Sequence, residues 1–185
     1  ALMNRRIDVD TKLSIFSTYI VGLMKKKQEL NRVDSLFAEM LEQYPQEEPV
    51  HRLFGMYLSS RKDFSRAEEQ YAIAADLAPT NPENWLQLIG LYLYQEKYAE
   101  VIRVGKRAIQ YVPDQKDIYM YVAVASAQTK SYDEALSMLE TGLNYVEEND
   151  AGTKSFFYGQ MGDVYHSAGD REKSYEMYEK ALSYN

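Results

Sequence analysis

Pro45, Pro79 and Pro113 recur every 34 residues, and the same interval joins Phe37 to Tyr71, Met40 to Ala74, Ala108 and Gly142, and His51 to Trp85 and Tyr119. A fixed period of this length means that each unit is one supersecondary element too small to bury its own apolar face. Neighbouring units must therefore stack on one another. Function in such a chain is sought on a surface before it is sought in a catalytic pocket.

Each period carries apolar residues at helical spacing in two blocks, as in Phe54 and Leu58 followed by Ala67, Tyr71 and Ala74, which predicts a helical hairpin per repeat. All five prolines (Pro45, Pro49, Pro79, Pro82 and Pro113) sit at junctions between hairpins, where a missing N–H and a fixed φ cost least. Ser131 with Glu134 reads as a capping box, and Asp63 and Asp170 as N-caps. The repeats are expected at 14–47, 48–81, 82–115, 116–154 and 155–185, with 1–13 a linker or the end of a preceding element. The last step is 39 residues. Its extra positions are expected in the loop-like run from Glu147 to Ala151.

These residues resemble the tetratricopeptide repeat (TPR) family, whose pattern runs W-x2-L-G-x2-Y, then A-x3-F, an Ala and a Pro. The second repeat supplies Phe54, Gly55, Phe64, Ala67, Tyr71, Ala74 and Pro79. The third supplies Trp85, Leu88, Tyr92, Tyr98, Ala108 and Pro113, and the fifth Tyr158, Met161, Gly162, Tyr165, Gly169, Tyr178 and Ala181. The resemblance covers residues 14 to 185 and implies an all-α fold, a right-handed α-solenoid superhelix of about five tandem helix-turn-helix repeats. Two departures stand out. Where other repeats pair small residues (Gly55 with Ala67, Ala123 with Ala135, Gly162 with Ser174), the first pairs Val21 with Val33 and the third Ile89 with Val101, which predicts wider helix spacing there.

Composition narrows the function. The chain is 45% hydrophobic and 26% charged, with a mean hydropathy of -0.50, which suits a soluble globular array. Net charge is -7, with 11 Lys/Arg against 9 Asp/Glu up to residue 66 and 10 against 19 beyond it. Most of the surface would repel a polyanion, so no nucleic-acid partner is expected. The longest nearly apolar stretches, 15–24 and 85–94, are interrupted and too short for a membrane span. With no cysteine there is no thiolate metal site, and either the cytoplasm or a bacterial periplasm fits. The start at Ala1 without a signal-like segment and the end at a repeat junction suggest a piece of something longer.

Catalytic signatures are missing: no phosphate-binding glycine loop, no G-x-S-x-G and no H-E-x-x-H. Neither an enzyme nor a cofactor is expected. His51 takes the place of Trp85 and Tyr119 and reads as a packed helical histidine, while Asp163 and His166, three apart, do not amount to a metal site. Glu47 with Glu48, Glu68 with Glu69 and the run from Glu147 to Asp150 read as solvated charge, and Lys25 to Lys27 as a favourable helix C-terminus.

The resemblance further implies that the first helix of each hairpin lines the inner face of the superhelix. Carried onto this chain, that face takes Tyr19, Arg52, Met56, Leu86, Gly90, Tyr94, Met120, Tyr121 and Phe156, together with Gly22, Leu93, Val124, Gly159, Asp163 and His166. It is mostly apolar and aromatic, with glycines where another backbone could approach. The expected function is a non-catalytic scaffold that binds a peptide or helix of a protein partner in this groove. The alternative is an assembly or regulatory module of a larger, possibly bacterial cell-envelope, protein whose groove packs on its own neighbouring domain. Family members that clamp acidic chaperone tails use Lys and Asn where the first repeat here has Thr18 and Gly22, so carboxylate-tail binding is not expected.

Overall fold

A computed structural model describes residues 8–26 and 30–184. Among them ten helices and no strand are formed: α1 (Val9–Lys26), α2 (Leu30–Gln43), α3 (Glu48–Ser60), α4 (Phe64–Leu77), α5 (Pro82–Tyr94), α6 (Tyr98–Ile109), α7 (Lys116–Gln128), α8 (Tyr132–Leu143), α9 (Ala151–Ala168) and α10 (Arg171–Leu182). Consecutive helices pair as hairpins, as the two apolar blocks per period require. The chain divides into two compact units, one ending at Ala78 and the other beginning at Pro79.

The first unit is built around aromatic rings. Phe37 meets Phe16 edge-on at 4.7 Å and stacks on Phe54 at 4.4 Å, with Tyr57 at 5.4 Å. Phe16, Phe37 and Tyr57 are essentially removed from water, so each ring contributes its full apolar area to the unit's core. At its edge Arg61 donates to the Asp34 carboxylate (2.8 Å) and to the Tyr57 hydroxyl (3.1 Å), and the Arg66 guanidinium lies over the Phe54 ring. Helix α1 starts at Val9, within the 1–13 segment expected as a linker or the end of a preceding element, and Lys12 is buried with its ammonium 2.5 Å from the Tyr44 hydroxyl.

In the second unit, α7 to α10 enclose a core of Met120, Ala123, Ala135, Leu139, Val146, Phe157, Met161 and Val164. Small residues bring the hairpin partners together as anticipated. A Cβ on Gly162 would lie 2.5 Å from the Tyr178 ring, and Ser174 donates to the Gly162 carbonyl at 3.0 Å. The bulky pair Ile89 and Val101 is fully buried, and the backbones of α5 and α6 lie less closely together than those of α7 and α8 or α9 and α10. The matching expectation for Val21 and Val33 falls on a side chain outside the described residues, as does that for Lys25 to Lys27.

Two devices repeat with the sequence period. At three of the four junctions a side chain reaches back six residues to a proline carbonyl: His51 Nε2 lies 3.1 Å from Pro45 O, Trp85 Nε1 donates to Pro79 O at 2.7 Å, and the Tyr119 hydroxyl donates to Pro113 O at 2.8 Å. Trp85 and Tyr119 also stack on a tyrosine 26 residues on, Tyr111 and Tyr145, and Tyr158 stacks likewise on Tyr184. Inside the hairpins, the turn places one residue in the left-handed region: Lys62, Glu96, Lys130 and Gly169, with φ of 63°, 56°, 62° and 87°.

Three local expectations need correction. Ser131 forms no side-chain cap, and the Glu134 carboxylate, the other half of the box, is engaged elsewhere: it pairs with Lys106 on α6 and accepts from Ser126 Oγ at 3.0 Å. Asp63 also forms no side-chain cap and pairs with Arg66 at 3.3 Å, whereas Asp170 does cap α10 through Lys173 N. The added residues of the last repeat enlarge a helix rather than a loop. Helix α9 has 18 residues against 13 in α7 and begins at Ala151, capped by Asp150, whose side chain accepts from Thr153 N at 3.0 Å.

Candidate protein-binding face

In the second unit α5 neighbours α7, and α7 neighbours α9, so the first helices of the three hairpins form one layer. Each buries one side and leaves an i, i+4, i+7, i+11 stripe toward solvent, as the 3.6-residue helical repeat dictates. On α5 the stripe is Glu83, Gln87, Gly90 and Tyr94; on α7 it is Asp117, Tyr121, Val124 and Gln128; on α9 it is Phe156, Gln160, Asp163 and Ser167.

Of the nine groove residues expected, four lie on this stripe: Gly90, Tyr94, Tyr121 and Phe156. Tyr94 is 68% exposed and Phe156 57%, Tyr121 is half-buried, and Gly90 has open space where a Cβ would stand. Leu86 lies one position off the stripe and is half-buried. Met120 departs from expectation: at 6% exposure it is core, because its side chain turns into the cluster formed with Ala123, Leu139 and Phe157. In the first unit Tyr19 and Met56 are exposed, while Arg52 is held by Glu48 on its own helix at 2.8 Å, which also removes Glu48 from the set of freely solvated acids.

Between α7 and α9 the stripe opens into a cleft of about 160 Å³. Its floor is Ala123, Val124, Ala127, Leu139 and Val164, and its rim Gln128, Gln160, Asp163 and Ser167. The Asp163 carboxylate accepts from Tyr178 OH on α10 at 2.7 Å and from Gln160 Nε2 at 3.2 Å. The hydrogen bond to Asp163 is the main reason that the Tyr178 phenol ionises above its ordinary range, with burial adding to it. Gln128, Gln160 and Ser167 were not singled out from the sequence. The signal was there, since Gln128 follows Tyr94 by one period and Gln160 and Ser167 follow Tyr121 and Gln128 by the longer step.

Among the described residues no group of three or more potential metal ligands converges. His51 is a buried structural group whose ring also meets Gln70 Oε1 at 2.9 Å, and His166 lines a separate hollow with Arg171 and Tyr175. No helix among the described residues is long and apolar enough to cross a membrane.

Hairpins repeated at this period, with aromatic side chains on an open layer of first helices, define an all-α helical-repeat fold of the TPR type. Comparison with solved structures agrees. The chain superposes on the crystal structure of MamA with a TM-score of 0.73 over 93% of this chain and 91% of that one, at 16% identity. On YrrB, described as a TPR protein with an unusual peptide-binding site, the TM-score is 0.67 over 92% and 84%, at 17% identity. A MamA fragment from Desulfovibrio magneticus RS-1 gives 0.69 over 93% and 94%, at 10% identity. The chain thus has the TPR fold. No family model and no curated protein matches it in sequence.

Proposed function

We propose that this chain is a non-catalytic interaction module that holds an extended or helical segment of a partner protein on the open layer formed by α5, α7 and α9. Single exposed apolar side chains are ordinary on any protein surface. Here Tyr94 and Phe156 stand on the same stripe as an open glycine and a cleft with an apolar floor, and that grouping carries the reading. Large rigid rings flanking a shallow depression suit side-chain capture at low entropic cost. The peptide-binding site ascribed to YrrB, on a shared fold, lends support to the same use here. On the first unit, considered by itself, exposed Tyr19 on α1 and Met56 on α3 are the proposed contacts for a protein partner.

The test is affinity capture from the cell of origin with the wild-type chain and with a Tyr94→Ala, Tyr121→Ala double variant. The variant is expected to lose the partner while keeping the wild-type circular dichroism spectrum. Undiminished capture would remove this face from consideration.

A further inference from the structure

The geometry points to a specific demand made by the cleft between α7 and α9: it is a receptor for one basic side chain, Lys or Arg, of the bound segment. This inference rests on the interaction-face reading above and deepens it. At about 160 Å³ the cleft is well below the roughly 300 Å³ at which small-molecule pockets begin, so its natural occupant is a single side chain. The floor of Ala123, Val124, Ala127, Leu139 and Val164 offers only carbon, which suits the methylene stem of a long residue. The rim offers a carboxylate, Asp163, and two amides, which suits a cationic head.

Asp163 is prepared for that role. Its two oxygens each receive one neutral donor, Tyr178 OH and Gln160 Nε2, which uses about half of a carboxylate's capacity to accept and fixes its orientation. Ser167 Oγ donates to the Asp163 carbonyl and so does not compete for the carboxylate. Among the described residues no Lys, Arg or His pairs with it, although Asp170, Glu134 and Asp150 of the same unit all have lysine partners. A held carboxylate with unfilled acceptor sites, above an apolar floor, is complementary to a cation on an aliphatic stem, and prior ordering spares the entropy of arranging it.

A phage-displayed library of randomised dodecapeptides, panned against the wild-type protein and against Asp163→Asn, tests this. Wild type should enrich peptides in which one Lys or Arg is flanked by apolar residues, and Asp163→Asn should lose the basic preference. For a selected peptide, replacing the basic residue with norleucine should weaken binding about tenfold on wild type, the loss of one charge-assisted hydrogen bond, and leave binding to Asp163→Asn unchanged. Enrichment of apolar peptides without a basic residue, or an equal norleucine effect on both proteins, overturns the basic receptor and leaves the binding face standing. Enrichment of nothing, by a protein with the wild-type helical spectrum, overturns both.

Discussion

Trp85 donates its indole N–H to the carbonyl of Pro79 at 2.7 Å, and one period later Tyr119 performs the same reach with a hydroxyl to Pro113. Proline carbonyls at a helix junction have no helical partner, and a buried ring with one polar tip satisfies them while filling the space beside the next hairpin. Tyr119→Phe keeps the ring and its stacking on Tyr145 but removes the donor. It should cost about 1 kcal/mol in urea unfolding, whereas Tyr119→Ala should cost about 3–5 kcal/mol. Equal losses in the two variants would mean that the hydroxyl is not the fastening.

The same tyrosine makes stability sensitive to alkali. Burial, reinforced by hydrogen bonding with Tyr145 and by the charge of Asp114, pushes the Tyr119 pKa up to about 12. The neutral phenol is thus favoured in the fold, so its contribution is complete below pH 10 and is lost between about pH 10 and 12, where the unfolded chain ionises first. Tyr119→Phe should flatten this part of the stability profile and remove one late-titrating phenol from the ultraviolet absorbance titration.

Left-handed turn residues lead to opposite expectations at equivalent positions. Gly169 occupies its turn at φ 87° without strain, so Gly169→Ala should lower stability by about 1 kcal/mol. Lys130 occupies the corresponding turn at φ 62° with a Cβ, and Lys130→Gly should be neutral or stabilising by a few tenths of a kcal/mol once the unfolded-state entropy of glycine is included. Thermal unfolding of the two variants checks both signs.

Close approach in the last hairpin is equally testable. Gly162→Ala places a methyl 2.5 Å from the Tyr178 ring and should cost about 1–3 kcal/mol. Because the clash is with one side chain, Tyr178→Ala should recover part of that cost in the double variant, a coupling measurable in a double-mutant cycle.

Much of the fold was legible because stacking forces the core to repeat: Phe37 and Tyr71, or Ala74 and Ala108, keep their spacing since each occupies the same packed position in successive hairpins. Local hydrogen bonds were less legible. Ser131 and Glu134 have the spacing of a capping box, but Lys106, remote in sequence, takes the carboxylate. The left-handed turns were hidden because three of four carry Lys or Glu in place of glycine. On the binding face, Met120 shows the limit of transferring a face by alignment: one step around a helix is about 100°, enough to move a side chain from solvent to core.

The lengthened α9 bears on how such arrays can change size. Four residues added ahead of a packed helix carry its start about 6 Å outward while turning it by about 400°, back to nearly the same side. The incoming chain therefore needs hardly any extra connection, and the seam of Phe157, Met161 and Val164 is undisturbed. Growth by whole turns at the entry ledge is a low-cost edit for this architecture, and one that relocates the rim of a docking site without rebuilding its foundations.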